Sequence, residues 1–199
     1  MVNLTAEIVE LSLLASVISK DDFSLIEKNL KKLKSSETRP LKIYETILQC
    51  YLFCGFPVII ETLKIFRRFF PEFKIKKSIY NHGLYKKTGE RNCKLIYKNN
   101  YKKLIENINY YSPDLKEWMI IEGYGKVLGR PGLSILEREF VNVAILATRF
   151  FENQLNSHLR GCLNLGATKN DLELLLKSII TTSGKKNYLK AETLLNKIV

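Results

Sequence analysis

Apolar residues recur at intervals of three and four along most of this chain, and strict alternation is sustained nowhere, so the pattern predicts helices and no sheet. Residues 135–150, ILEREFVNVAILATRF, are apolar nearly all round after the first turn, as expected of a helix buried at the centre of a bundle. Leu155, Leu159, Cys162 and Leu163 then mark one face of a helix over 153–165, which Gly166 ends as a left-handed cap. The two form an antiparallel pair. Helix starts are signalled by the capping-box spacings Ser134-x-x-Glu137 and Thr168-x-x-Asp171, and by Ser112-Pro113, a capping hydroxyl before a first-turn proline. Upstream, residues 41–70 read as helix, a turn at Gly55-Phe56-Pro57, then helix again. The Lys-rich stretch 71–88, punctuated by Pro71 and Gly83, reads as the most exposed connection. Helices over about 89–110, open to a break, and 113–124 complete the chain.

A repeat underlies this pattern. At an offset of 132 residues, Glu7 to Ser16 (EIVELSLLAS) lies over Glu139 to Thr148 (EFVNVAILAT). The register continues, with Phe23 on Leu155, Leu30 on Cys162 and Leu33 on Leu165, which keeps the second helix's apolar face in phase. Opposite His158 the first copy has Ile26. The fold class expected is all-α, built from two diverged repeats, divided as 1–70, a basic helical connection over 71–112, and 113–199.

Composition narrows the setting. With 46% hydrophobic residues in 199, the chain can bury one sizeable core or two fused small ones. No run approaches the ~20 apolar residues of a spanning helix. Glu7 and Glu10 stand where a signal peptide would be basic and then apolar, so a cytoplasmic protein that makes no use of a membrane is expected. Cys50, Cys54, Cys93 and Cys162 are spaced unlike a disulfide framework or a zinc site, and no metal or other cofactor is called for. Residues 64–103 hold 13 of the 32 Lys/Arg and 2 of the 20 acids, so nearly all of the +12 net charge is local. Aromatic residues interleave these lysines, a mixture able to bind nucleic acid, but no recognised motif supports that partner and none is expected.

The candidate chemistry is a carboxylate and an imidazole. Glu139 opens the central helix and His158 lies nineteen residues on, midway along its antiparallel neighbour, a separation that can bring them together across the packed face. Such a pair serves structure as readily as catalysis. Cys50 and Cys54 share a helix face, but helical geometry does not favour bridging them, and they read as core thiols.

Three stretches, Tyr124-Gly-Lys-Val-Leu-Gly-Arg-Pro-Gly-Leu133, Glu137-Arg-Glu-Phe140 and Gln154-Leu-Asn-Ser-His-Leu-Arg-Gly-Cys-Leu-Asn-Leu-Gly-Ala-Thr168, resemble the carboxymuconolactone decarboxylase family. Glu45-x9-Gly-Phe-Pro57 is similar to that family's C-terminal element. The resemblance implies a helical bundle of the alkylhydroperoxidase D type, assembled as a homo-oligomer. The family's peroxidase branch carries two cysteines between its glutamate and histidine; the matching positions here are Phe151 and Gln154, so a dithiol mechanism at this site is chemically closed. The expectation is therefore acid–base chemistry by His158, oriented by Glu139, on a small carboxylated, carbonyl or lactone substrate. Arg130 and Arg160 are candidates to grip a carboxylate and Tyr124 to line the pocket, although surface ion pairs and a packing aromatic would explain them equally. Because the first copy has Glu7 but Ile26, one such site per chain is expected. The competing readings are a non-catalytic helical assembly or binding protein, and a peroxidase-related protein using other thiols.

Overall fold

The computed structural model describes residues 4–199, so the first three residues of the expected unit 1–70 lie outside it. The helices are α1 (Ala6–Ile18), α2 (Phe23–Ser35), α3 (Pro40–Phe69), α4 (His82–Tyr97), α5 (Tyr101–Tyr111), α6 (Pro113–Trp118), α7 (Ile135–Arg149), α8 (Glu152–Asn164), α9 (Lys169–Ser178), α10 (Ile180–Ser183) and α11 (Lys185–Asn196). A 3-10 turn, Lys98–Asn100, separates α4 from α5, and a π-helix, Met119–Val127, continues α6. The fold is all-α, with no strand among the described residues.

The capping signals act where the sequence puts them. The Ser134 and Thr168 side chains accept from the backbones of Glu137 and Asp171, whose carboxylates bond back, and Ser112 accepts from Leu115 N. Each such cap is worth about 0.5–2 kcal/mol. Gly55 breaks α3 with φ 75° and ψ 173°, a conformation costly for any residue with a Cβ, so the two helices expected there follow one another across a kink.

Two boundaries differ from expectation, and one expected break is located. α4 begins at His82, inside the stretch read as connection, because the Asn81 side chain accepts from Leu84 N and caps it. The break expected within 89–110 falls at Lys98, held at φ 44°. The helix expected to end at 124 instead runs on to Val127 with π geometry. Gly89 and Gly125 let α4 and the π-helix touch: a Cβ on Gly89 would stand 2.0 Å from Ile120 O, and one on Gly125 2.0 Å from Tyr85 O.

Helices α1, α2, α3, α7, α8, α9 and α11 share one core, with α7 at its centre and buried from Arg138 to Thr148. α1 packs along α7, and Ser16 Oγ and Thr148 Oγ1, the two residues paired by the 132-residue offset, share a hydrogen bond of 2.6 Å. Cys93, Ile96 and Tyr97 of α4 form a second, smaller core with Ile120, Tyr124 and Val127. By length and composition alone α3 could cross a membrane. Its apolar character has a use here, since Ile43, Ile47, Cys50, Ile59 and Phe66 are buried in the core, each of the isoleucines and the phenylalanine contributing roughly 1.5–3 kcal/mol.

Candidate active site

Little more than one turn of α7 carries three polar side chains into the core: Arg138 and Glu139 are fully buried and Asn142 is 1% exposed. Burying an isolated carboxylate costs several kcal/mol, so each oxygen of Glu139 needs a partner. Oε2 lies 2.7 Å from His158 Nδ1, and Oε1 accepts from Asn142 Nδ2 at 2.9 Å. Asn142 Oδ1 in turn accepts from Gln49 Nε2 of α3 at 2.7 Å. The Gln49 amide also donates to Arg138 O (2.8 Å) and accepts from Arg138 Nη1 (3.1 Å). Arg138 Nη2 donates to Glu45 Oε2 at 3.0 Å, and Arg130 grips the same carboxylate through Nε (2.9 Å to Oε2) and Nη2 (2.9 Å to Oε1). A continuous polar chain thus runs from Glu45 to His158 with two carboxylates and two guanidiniums in it. Burial lowers the Arg138 guanidinium from its ordinary value against the pull of Glu45, whereas the Glu45 bonds raise Arg130.

The close approach of α8 depends on Gly161, one turn beyond His158. A Cβ there would stand 2.7 Å from Ile96 Cγ2 and 2.8 Å from Glu139 Oε2, so any side chain would push α8 off the carboxylate.

His158 is 8% exposed and lines a cavity of about 430 Å³. Leu52 and Phe53 of α3 and Leu115, Trp118 and Met119 of α6 and the π-helix give it apolar walls. Its polar wall is His158, Asn142, Tyr51 and Glu122. Glu139 accepts the Nδ1 proton, while Nε2 has no protein partner among the described residues. Tyr51 donates to Glu122, and Lys126 Nζ lies 2.7 Å from the same carboxylate. Burial raises the Glu122 carboxyl, but these bonds outweigh it and hold the group below the ordinary carboxylate value. Tyr124 lines the cavity and shares a 2.7 Å hydrogen bond with Tyr97, whose ring stands edge-on to His158 at 6.3 Å. Burial pushes both phenols up.

Comparison with known proteins bears on this arrangement. The family model described as carboxymuconolactone decarboxylase matches residues 113–197, which include Glu139 and His158. The 4-carboxymuconolactone decarboxylase of Acinetobacter baylyi (strain ATCC 33305 / BD413 / ADP1) is 32% identical over 92 residues, 46% of this chain and 69% of that protein. This chain belongs to the carboxymuconolactone decarboxylase family. It is also similar to peroxisomal protein 2 of Saccharomyces cerevisiae (strain ATCC 204508 / S288c), 31% identical over 86 residues, which are 43% of this chain and 30% of that protein.

Within this family member the thiols are poorly placed for redox work. Phe151 and Gln154 are exposed, with Arg149 lying 5.1 Å over the Phe151 ring. Burial raises Cys50 and Cys162 well above the ordinary thiol value, pushes Cys54 up to about 11 and Cys93 to about 12, so none is a ready thiolate at neutral pH. The positions 132 residues upstream of Glu139 and His158 offer no second imidazole: Glu7 is ion-paired with Lys42 at 2.8 Å, and Ile26 is fully buried.

The structure brings Glu139, His158 and Tyr124 together and leaves the two expected arginines apart. Arg130 is spent on Glu45, and Arg160 lines a different concavity on the outer face of α8. Sequence reasoning missed Gln49, Asn142 and Tyr97. A signal existed for the first two: Asn142 follows Glu139 by one turn and Gln49 follows Glu45 by one turn, polar residues inside otherwise apolar helices, where a buried amide must find a partner. Tyr97 sits in a segment read as a basic, aromatic-rich helical connection, with no signal that it reaches His158.

Proposed function

We propose that this protein performs acid–base chemistry with His158 on a small lactone or carbonyl compound bearing a carboxyl group, without a redox dithiol. The observation that carries this reading is a histidine held by Glu139 through Nδ1, with no protein partner at Nε2 among the described residues, whose side chain lines an open cavity. The cavity beside the imidazole supports this reading over that of a sealed structural pair.

The named activity of the Acinetobacter relative, decarboxylation of 4-carboxymuconolactone, fits the cavity's chemistry. In such a reaction the bond to the carboxylate carbon breaks, CO2 leaves, the electron pair is drawn toward the lactone carbonyl, and a proton returns to carbon. His158 Nε2 is the group positioned to deliver that proton. No Lys or Arg lines the cavity, and its walls are largely apolar. A substrate carboxylate there exchanges water for apolar surface, which favours the dispersed charge of the departing-CO2 transition state over the localised ground-state charge. The missing guanidinium thus supports loss of a carboxyl group better than its retention.

The proposal extends to a cytoplasmic, homo-oligomeric protein of two diverged units. Four free cysteines support a reducing compartment. The Ser16–Thr148 contact between offset-related positions supports a duplicated unit folded about a local pseudo-two-fold axis.

The test is CO2 release from 4-carboxymuconolactone and a panel of related lactones by the purified chain. Turnover that falls to background in His158→Ala supports the proposal, and equal turnover in that variant refutes it.

A further inference from the structure

On the outer face of α8 lies a concavity of about 560 Å³, closed on its other side by the end of α4, the 3-10 turn and α5. The His158 reading makes no use of it. Its chemistry is unusually uniform. Asn153, Asn156 and Asn164 face it from one stripe of α8, and Asn100 and Asn107 face it from across the groove. Each carboxamide offers two donors and an acceptor oxygen. Asn164 Nδ2 is engaged with Ile96 O at 2.8 Å, which leaves its oxygen free, and the other four side chains make no hydrogen bond among the described residues.

Two cations, Lys103 from α5 and Arg160 from α8, line it as well, as does Ser157, whose hydroxyl donates to Asn153 O at 3.0 Å. No Asp or Glu lines the groove, and neither cation is paired with a carboxylate among the described residues. The back of the groove is apolar, formed by Ile96, Tyr97 and Leu104.

These features select a ligand class. Opposed ammonium and guanidinium groups suit an oxyanion, which Arg binds bidentately. Carboxamides, which both donate and accept, match hydroxyl groups, which do the same. A bare inorganic anion would leave the amide oxygens idle, and a neutral polyol would leave both cations unpaired. We infer that the groove between α5 and α8 binds a small hydroxylated organic anion, a sugar phosphate or a sugar acid, with the oxyanion between Lys103 and Arg160 and the hydroxyls on the asparagines.

Isothermal titration of the full chain with glucose 6-phosphate, gluconate, glucose and inorganic phosphate tests this. Saturable binding of one of the first two is expected, with glucose and inorganic phosphate at least about tenfold weaker, since each lacks half of the recognised chemistry. A preference for glucose 6-phosphate assigns a phosphate ester, and a preference for gluconate assigns a carboxylate. Arg160→Ala and Lys103→Ala, both at exposed positions, should each weaken binding by about tenfold or more while leaving the melting curve unchanged. Asn156→Ala should weaken the sugar anion and leave inorganic phosphate unaffected. Failure of both sugar anions to bind, equal affinity for inorganic phosphate, or affinities that ignore the lysine and arginine variants would overturn the inference.

Discussion

Glu139 can remain a buried carboxylate because both of its oxygens are bonded, to His158 at 2.7 Å and to Asn142 at 2.9 Å. The same bonds hold the imidazole at Nδ1, and in the proposed reaction that contact would orient it. His158→Ala should lower turnover of a lactone substrate by about 10²–10⁴-fold, the usual contribution of a positioned acid–base group. Glu139→Ala should lower kcat with less effect on KM, because the imidazole loses its orientation while the cavity walls stay in place; steady-state kinetics separates the two constants. Gly161→Ala reads the packing directly. Its methyl would enter space held by Ile96 and the Glu139 carboxylate, and a denaturant titration should show a loss of about 1–3 kcal/mol.

At the scale of elements, α3 supplies what α7 cannot provide for itself. Arg138 is fully buried and its charge is met by Glu45 from α3, so Glu45→Gln should cost about 3–5 kcal/mol in chemical denaturation, well beyond the loss of a surface pair. How much of this was legible depended on whether the cause was local. The helices around 135–150 and 153–165, the Ser134 and Thr168 caps and the Gly55 break all follow from periodicity and capping chemistry within a few residues. The Glu139–His158 pairing also followed, because nineteen residues across one tight hairpin leave little choice of geometry. The π-helix was not legible. Gly125 is required there by contact with Tyr85, distant in sequence. Arg130 and Arg160 looked alike for the same reason: their separation is decided by Glu45 on another helix. The segment taken as a basic helical connection holds α4, which brings Tyr97 beside His158.

Across the whole molecule, one lysine ties the two halves together. Lys42 Nζ of α3 lies 2.8 Å from Glu7 of α1 and 2.7 Å from Glu137 of α7. Burial raises both carboxyls, but the bonds to Lys42 outweigh it and hold them below their ordinary value of 4.5. Burial lowers Lys42, yet the two carboxylates raise it above 10.5. Groups depressed in the folded state stabilise above their unfolded value and lose that contribution as pH falls through the folded one; a raised lysine stabilises below its unfolded value and loses it as pH rises through the folded one. Melting temperature should therefore decline on the acid side of 4.5 and again above 10.5, and Lys42→Met should flatten both arms. Thermal melts across that range give the comparison.

The central claim, a reachable histidine held at one nitrogen, is met most directly by 15N NMR of the two imidazoles, His82 and His158, with a saturated lactone that lacks the departing carboxyl group. The account predicts that His158 Nε2 shifts as the lactone binds while His82 does not move. Histidine signals that both ignore the lactone, at concentrations up to its solubility, would contradict it.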